Sequence, residues 1–195
     1  MEIIVGTNNE GKLQEMQQAV NDQGVRFVSY QKYGLSAIMP AENGASYEEN
    51  AYQKALVYQR QIKRPVLTDD GGLELAAFPD LLGLHTHRFF KSSKPQAQNQ
   101  ELLDLFAGKK LTRKLTLRAT LLYLMGTQKI ITSASLQGEL AFEPKGTGGY
   151  GFDSIIYLPN EKKTLAQLTA EARATYSPRI QALRQMIKKL GEAQL

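Results

Sequence analysis

Residues 1–12 of the chain are Met1-Glu2-Ile3-Ile4-Val5-Gly6-Thr7-Asn8-Asn9-Glu10-Gly11-Lys12. The apolar run predicts a buried strand, and the polar, glycine-containing stretch after it predicts a turn that leads directly into a helix. A helix start carries unpaired backbone N–H groups and a partial positive charge, so a phosphate placed there meets donors already aimed at it. Lys12 adds a full charge. We therefore expect a nucleotide phosphate at this junction.

The same junction could also be a mononucleotide P-loop or a plain turn. The spacing of Gly6, Gly11 and Lys12 is close to that of the P-loop, but that motif has a hydroxyl residue after the lysine to hold magnesium, and this chain has Leu13. An ordinary turn rich in asparagine and glycine would have this composition too. The junction alone leaves the choice between a ligand site and a simple turn open.

The composition is that of a globular protein. A length of 195 residues predicts one domain, residues 1–195, or two closely packed lobes. Cysteine is absent, which excludes disulfides and thiolate metal sites and fits a reducing compartment. The sequence contains no signal-peptide pattern and no membrane-spanning apolar run, so we expect a cytoplasmic protein without membrane partners.

The charge balance leaves two classes of partner open. The net charge of +5 comes from 24 basic and 19 acidic side chains, an excess that suits an anionic small molecule or weak contact with nucleic acid. The densest basic cluster is Lys109, Lys110, Arg113 and Lys114. Such clusters are usually solvated loops and strand edges, which is the interpretation favoured here.

Hydrophobic periodicity divides the chain into helices and strands. Helices are expected at residues 12–22, 46–61, 96–106 and 177–190, and strands at residues 26–30, 65–68, 115–121, 129–136, 138–142 and 154–157. Ser46 and Glu49 form a capping box at the start of the second helix, and Gly191 is expected to end the last one. Helices mixed with parallel-type and meander strands predict an α/β fold built on a mixed sheet.

Acidic residues mark the end of the strand at 65–68. That strand is expected to stop abruptly at Asp69-Asp70-Gly71-Gly72, and Glu42 and Glu49 lie in the preceding segment. Carboxylate oxygens suit magnesium, which also binds substrate phosphates, and a carboxylate near such a metal can deprotonate an attacking water. The alternative is a plain turn, since Asp and Gly are both turn formers.

Three further features are candidates for ligand contacts. Lys54 follows Asn50 by four residues, so both can project from one helix face, although a lone helical lysine is normally solvated. The glycine-rich loop at residues 145–151 precedes Phe152-Asp153 and can let backbone approach a ligand, or it can be a flexible hairpin tip. His85 and His87 lack a third nitrogen or sulfur ligand nearby in the sequence, so a loop role is favoured over zinc binding.

Four motifs occur in order along the chain: Thr7-x-Asn9-x-x-Lys12, Glu49-Asn50-Ala51-x-x-Lys54-Ala55, Asp69-Asp70-x-Gly72-Leu73-Glu74 and Gly149-Tyr150-Gly151-Phe152-Asp153. Together they resemble the inosine triphosphate pyrophosphatase family. Each motif alone is weak, but four in this order with compatible spacing are a strong signal, and the match spans residues 3–190. The resemblance implies a two-lobed α/β fold with the nucleotide in a central cleft, in a homodimer.

The resemblance also implies an activity and a set of site residues. The activity is Mg2+-dependent hydrolysis of non-standard purine nucleoside triphosphates (ITP, dITP, XTP) to the monophosphate and pyrophosphate. Glu42 and Asp70 would bind the metal, and Asp70, beside Asp69, would also be the general base. The nucleotide would be bound by three groups of residues: Thr7, Asn8, Asn9, Lys12, Lys54 and Gly71 at the phosphates; Tyr150, Gly151, Phe152 and Asp153 at the nucleoside; and Arg173 and Arg179 near the base.

This chain departs from the family pattern at three positions. Gly71 replaces a serine after the aspartate pair, and Pro178 replaces the histidine of a Ser-His-Arg sequence that helps to recognise a 6-oxo purine. Arg173 replaces a lysine, which keeps the charge but changes its shape. Phosphate chemistry therefore transfers from the family better than base specificity does. A nucleotide-binding protein with lost or altered catalysis is the alternative function, and nucleic-acid binding by the basic residues between Lys109 and Arg118 is a third, although no nucleic-acid partner is expected.

Overall fold

The computed structural model describes residues 1–20, 24–34, 40 and 42–192. The strands are β1 (Glu2–Val5), β2 (Arg26–Ser29), β3 (Val66–Leu75), β4 (Lys114–Met125), β5 (Gln128–Leu140), β6 (Ile156–Leu158) and β7 (Lys163–Thr164). The α-helices are α1 (Glu10–Ala19), α2 (Tyr47–Ile62), α3 (Thr86–Phe89), α4 (Pro95–Leu105), α5 (Ala170–Tyr176) and α6 (Pro178–Glu192). Short 3-10 helices cover Tyr30–Tyr33, Gly83–His85 and Leu165–Gln167.

The strands form a mixed sheet in the order β2-β1-β3-β4-β5-β6-β7. β1 pairs in parallel with both β2 and β3, whereas β6 is antiparallel to both β5 and β7. The predicted α/β fold with a mixed sheet is therefore confirmed. None of the helices within the described ranges is long and apolar enough to cross a membrane.

The chain divides into two compact units. Unit 1 consists of Met1–Gly71, Ala119–Ala134 and Pro178–Leu195, and unit 2 of Gly72–Arg118 and Ser135–Ser177. The single domain of residues 1–195 and the central cleft implied by the resemblance both stay predictions.

The core of unit 1 explains why β1 is continuously apolar. Ile3 and Val5 face one cluster of buried side chains, contributed mainly by α1, α6 and β4, and Ile4 faces a second cluster with Tyr30, Tyr58 and Val66. Successive side chains of a strand point to opposite faces, so a strand covered on both sides needs apolar residues at every position.

The core of unit 2 is a separate cluster of buried side chains. Helix α4 contributes Leu102 and Leu103, and the strands contribute Leu73, Leu140 and Ile156, among others. This core supports the loop at residues 145–155, where Phe152 packs partly buried against it.

Several element boundaries differ from the sequence prediction. β3 does not stop at residue 68 but runs through Asp69-Asp70-Gly71-Gly72 to Leu75, so the predicted short strand and the plain-turn alternative are both wrong. The strand continues because cations neutralise the two carboxylates, and because Gly72 lacks the Cβ that would collide with the carbonyl oxygen of Gly83.

The remaining differences are smaller. Residues 129–142 contain one strand, β5, rather than two. Gly138 lies within it, where an added Cβ would come 2.9 Å from the carbonyl oxygen of Tyr157. α1 begins at Glu10 rather than Lys12, since Asn9 caps it, and the predicted helix end at Asp22 lies outside the described residues. α6 includes Gly191 instead of ending before it.

Candidate active site

The junction between β1 and α1 has the predicted geometry. Asn9 caps α1: its side-chain oxygen accepts a hydrogen bond from the Lys12 N–H at 3.2 Å, and its own N–H donates to Thr7 Oγ1 at 3.1 Å. Gly6 N–H donates to the carbonyl of Leu67 at 2.8 Å, which joins the start of the loop to β3. Residues 6–9 thus connect the strand to the helix N-terminus, with Asn8 and Asn9 exposed. They are called the phosphate loop below, after the ligand expected from the sequence.

Asp69 is the centre of a buried ion-pair cluster. Its carboxylate lies 3.0 Å from Lys12 Nζ and 3.0 Å from Arg179 Nε, and its exposed fraction is 3%. Arg179 also contacts Glu15, with 2.8 Å between Nη1 and Oε2. Burial by itself would raise the pKa of Asp69, but the charges of Lys12 and Arg179 outweigh it and hold that pKa well below the usual range. Asp69 is therefore ionised at neutral pH.

Asp70 is held by two residues of α2. Asn50 Nδ2 donates to Asp70 Oδ2 at 3.0 Å, and Lys54 Nζ donates to Asp70 Oδ1 at 3.0 Å. Residues four apart on a helix lie on one face, so the predicted common face of Asn50 and Lys54 is confirmed. Ser46 positions this helix by capping it through the Glu49 N–H, while the Glu49 carboxylate accepts from Ala45 N–H.

Lys54 is buried rather than solvated, with an exposed fraction of 8%. Its ammonium also donates to the Asp69 carbonyl at 3.0 Å and lies 2.5 Å from Glu42 Oε1. Burial favours the neutral amine, but the Asp70 and Asp69 charges outweigh it and raise the pKa of Lys54. Lys54 therefore carries its charge and brings the carboxylates of Glu42 and Asp70 to one place.

Burial has the opposite outcome at Asp70. Loss of hydration raises the pKa of Asp70, and the neighbouring Glu42 charge adds to that rise, while Lys54 and Asn50 only partly counter it. The two adjacent aspartates thus have pKa values displaced in opposite directions. Asp70 is the more basic carboxylate of the pair, which is the property that a general base needs.

The acidic side chains fit magnesium better than a transition metal. Within the described ranges, no group of three or more His, Cys, Asp or Glu side chains is arranged to hold an ion. Mg2+ does not require such a cage, because it keeps several waters and binds through one or two carboxylates plus substrate phosphates. Glu42 and Asp70, the two carboxylates that the resemblance assigns to Mg2+, are both ion-paired with Lys54.

A second group of predicted residues comes together in unit 2. Asp153 Oδ2 accepts from the Tyr150 N–H at 3.2 Å and lies 3.7 Å from Arg173 Nε. Gly149 has a φ of 73° and leaves no room for a Cβ beside the Asp153 carboxylate, so only glycine fits there. Contacts of Asp153 with Tyr150 and Arg173 therefore hold the loop around Gly151 in this conformation.

The two aromatic rings of this loop differ in their surroundings. Phe152 stacks at a tilt on Phe90, with 5.6 Å between ring centroids, whereas Tyr150 is 38% exposed. Asn99, a buried residue of α4, donates to the Gly151 carbonyl at 3.1 Å and to Ser154 Oγ at 3.0 Å. Phe152 thus belongs to the support of the loop, and Tyr150 to its accessible surface.

Other residues named in the sequence make their contacts outside these clusters. His85 and His87 are exposed, and His85 Nδ1 contacts the Arg88 guanidinium at 3.3 Å. Arg113 donates to the carbonyls of Leu140 and Ala141. Arg118 binds both oxygens of Glu74. Some of the basic residues between positions 109 and 118 are therefore engaged within the chain itself.

Sequence reasoning missed several members of these clusters. Glu15 had a signal, because it lies three residues after Lys12 on the same face of α1. Tyr30, whose hydroxyl donates to Asn8 Oδ1, and Asn99, which supports the loop at 151, had none, since both act across long sequence separations.

Comparison of the sequence with known proteins identifies its relatives. The model of the Ham1 family matches residues 3–189. The chain is 33% identical to the dITP/XTP pyrophosphatase of Geobacillus kaustophilus, over 98% of this chain and 95% of the relative. It is 32% identical to the dihydroneopterin triphosphate diphosphatase of Limosilactobacillus reuteri, over 97% of each chain.

A solved structure gives the same result for the fold. The HAM1 protein from Coxiella burnetii superposes with a TM-score of 0.85 and 29% identity, covering 98% of this chain and 99% of that one. The family resemblance inferred from the four motifs is thereby confirmed. The chain belongs to the Ham1 family.

Proposed function

We propose that this protein is a pyrophosphohydrolase that cleaves non-standard purine nucleoside triphosphates (ITP, dITP and XTP) to the monophosphate and pyrophosphate. The observation that carries the proposal is the cluster in unit 1, where Lys12, Lys54 and Arg179 surround the pair Asp69-Asp70. Lys12 of this cluster follows the phosphate loop and donates its backbone N–H to Asn9. Relatives such as the Geobacillus kaustophilus enzyme are named dITP/XTP pyrophosphatases.

The phosphate-binding groups supply charge and directed donors. Thr7, Asn8 and Asn9 lie at the α1 N-terminus, and Lys12 lies in the first turn of that helix. Lys12 is buried enough that loss of hydration lowers its pKa, and the Asp69 carboxylate, which opposes that effect, keeps it paired. An incoming triphosphate would replace Asp69 as the partner of the Lys12 ammonium. The charge of Lys12 is then available for substrate binding.

Asp70 is the residue that takes the proton. In the proposed reaction, a water oxygen forms a bond to the α-phosphorus, the bond between that phosphorus and the α,β-bridging oxygen breaks, and pyrophosphate leaves with that oxygen. The proton of the water passes to the Asp70 carboxylate. Asn50 and Lys54 fix the direction of the carboxylate during this step.

The proposed cofactor is Mg2+, held by Glu42 and Asp70. When bound, Mg2+ neutralises phosphate charge and makes the phosphorus more electrophilic. Lys54, which contacts both carboxylates, keeps them at a common position. Asp69 is assigned a positioning role before substrate binds, since it holds Lys12 and Arg179. The same proposal places Gly71 at the phosphates. It assigns contacts with the nucleoside to Tyr150, Gly151, Phe152, Asp153, Arg173 and Arg179.

A panel of triphosphates tests the proposal. Purified protein is incubated with Mg2+ and ITP, dITP, XTP, ATP or GTP, and pyrophosphate and orthophosphate are quantified separately. We expect pyrophosphate from ITP, dITP and XTP. Release of orthophosphate alone would contradict the assignment, and tight binding of a triphosphate without turnover would favour the alternative of a nucleotide-binding protein that has lost catalysis.

Dihydroneopterin triphosphate is a second candidate substrate. The Limosilactobacillus reuteri relative named for it is about as similar to this chain as the Geobacillus kaustophilus dITP/XTP pyrophosphatase is, at 32% against 33% identity. Pro178, which is buried at the start of α6, has no side-chain donor where the family has a histidine for the 6-oxo purine. Adding this pterin to the panel decides between them: a larger kcat/KM for the pterin than for dITP would assign it as the main substrate.

The assembly and location of the protein extend the proposal. We place it in the cytoplasm as a homodimer, with the nucleoside triphosphate and no nucleic acid as its partner. The absence of cysteine supports a reducing compartment. Light scattering at several protein concentrations tests the dimer, and a shift assay at low salt tests the absence of nucleic-acid binding.

A further inference from the structure

A buried tyrosine contacts the phosphate loop from inside unit 1. Tyr30 begins the 3-10 helix after β2, has an exposed fraction of 0%, and donates its hydroxyl hydrogen to Oδ1 of Asn8. A buried phenol needs a hydrogen-bond partner, and this one is an exposed loop residue rather than another core group. The core of unit 1 is thereby linked directly to the middle of the loop.

A second tyrosine contacts the first residue of the same loop. Tyr58 of α2 packs against Tyr30 with 4.8 Å between ring centroids and an interplanar angle of 48°. A Cβ at Gly6 would lie 2.5 Å from two ring carbons of Tyr58, so the ring fills the space where a side chain would otherwise stand. The two rings therefore support the loop at Gly6 and at Asn8.

The hydrogen bond from Tyr30 also orients the amide of Asn8. With Oδ1 accepting from the core, the Nδ2 edge of the same planar amide faces away from Tyr30. The bond therefore fixes the plane of this amide within the phosphate loop. A loop held in its binding geometry before the ligand arrives loses less conformational entropy on binding.

We infer that Tyr30 is a positioning residue for triphosphate binding, acting through Asn8. The inference rests on the proposed function, because it assigns the phosphates to residues 6–12. It predicts a specific kinetic pattern. Loss of the hydroxyl weakens the binding of every triphosphate alike, since the phosphates are common to all of them, and leaves the relative preference among bases unchanged.

Tyr30→Phe removes the hydroxyl and leaves the ring contacts in place. The matched control is Tyr33→Phe, because Tyr33 also donates its hydroxyl hydrogen to a side chain, Glu2, which lies outside the phosphate loop. We expect KM for each hydrolysed triphosphate to rise about three- to tenfold in Tyr30→Phe, as for the loss of one hydrogen bond, with kcat nearly unchanged. Tyr33→Phe should keep the wild-type KM.

A double variant separates positioning from general packing. If Tyr30 acts through Asn8, then Asn8→Ala and the double variant Tyr30→Phe/Asn8→Ala should have the same KM, whereas independent effects would multiply. Multiplying effects, or equal KM values for Tyr30→Phe and Tyr33→Phe, would overturn the inference.

Amide hydrogen exchange measures the loop without substrate. Exchange at residues 7–12 should be faster in Tyr30→Phe than in wild type and Tyr33→Phe, with the free energy of unfolding measured for each. Unchanged exchange in Tyr30→Phe overturns the inference even if the enzyme is active. A wild-type protein that hydrolyses no triphosphate would overturn the proposed function instead, and faster exchange in the variant would still support the Tyr30–Asn8 link.

Discussion

Arg179 and Asp69 form an ion pair, with 3.0 Å between Nε and Oδ2, although they are 110 residues apart in the chain. The pair joins the first turn of α6 to the middle of β3. Because Arg179 also binds Glu15 of α1, a single guanidinium connects three elements of unit 1. Its planar fork of donors suits this task, which a lysine ammonium cannot perform in the same way.

Replacement of Arg179 by alanine should destabilise unit 1. The change leaves Asp69, which is nearly inaccessible, with Lys12 as the remaining cation of its two ion pairs. Breaking a buried pair from one side costs about 3 kcal/mol in free energy of unfolding. Urea unfolding measures this loss. Arg179→Lys is the matched variant and should recover part of it, and equal stability of the two variants would show that the charge contributes nothing.

Asp70→Asn should abolish turnover while leaving the protein folded. The amide keeps the shape of the carboxylate but cannot accept the proton, and general-base catalysis contributes about 10² to 10⁴ in rate. Pyrophosphate release at saturating substrate gives kcat, and circular dichroism checks the fold. Asp80→Asn, at an exposed turn of unit 2, is the control and should keep full activity. A fully active Asp70→Asn protein would mean that another group is the base.

Gly6→Ala should be destabilising for a steric reason. The new Cβ would lie 2.5 Å from Tyr58 ring carbons and 3.0 Å from Thr68 Cγ2, and overpacking of this kind costs about 1–3 kcal/mol. Gly191→Ala, where no atom lies within 4 Å of the added Cβ, is the control and should not destabilise.

A double-mutant cycle isolates the contact between Gly6 and Tyr58. Tyr58→Leu removes the ring, so the penalty of Gly6→Ala should be smaller in that background by about 1 kcal/mol. An unchanged penalty would place the strain elsewhere.

Stability should fall at alkaline pH because of buried tyrosines. Burial raises the pKa of Tyr58 and of Tyr123 above the ordinary value of 10.0. A group with a raised folded-state pKa contributes stability that is fully present below its unfolded pKa and is lost as pH rises through the folded value. The free energy of unfolding should therefore decline above pH 10, with Tyr58 contributing up to about 1.4 kcal/mol per pH unit.

Denaturant titrations between pH 8 and pH 11 measure this decline. Tyr58→Phe should have a shallower slope than wild type, because phenylalanine has no proton to lose. Identical slopes would show that Tyr58 ionises as easily in the folded protein as in the unfolded chain.

Local patterns in the sequence were sufficient for much of the site. The junction at residues 5–12, the Ser46 cap and the common face of Asn50 and Lys54 all depend on residues close in the chain, where helix and cap geometry fixes the distances. The mixed sheet was also predictable, since it follows from alternating apolar runs and connection lengths.

Long-range contacts were not predictable in the same way. Nothing in the spacing of Asp69 and Arg179 indicates that they meet, and the length of β3 was missed because Asp and Gly ordinarily favour turns. β3 overrides that preference by pairing its carboxylates with cations from α1, α2 and α6. Tertiary electrostatics therefore decided the backbone where local propensity pointed the other way.

Asn50 and Lys54, about one turn apart on α2, donate hydrogen bonds to the two oxygens of Asp70. Substitution of side chains on the exposed face of that helix leaves these hydrogen bonds in place. A gain or loss of one residue between positions 50 and 54 does not, because it rotates one partner by about 100° about the helix axis relative to the other. The gene for this protein should thus tolerate point substitutions far more readily than single-codon insertions in that stretch.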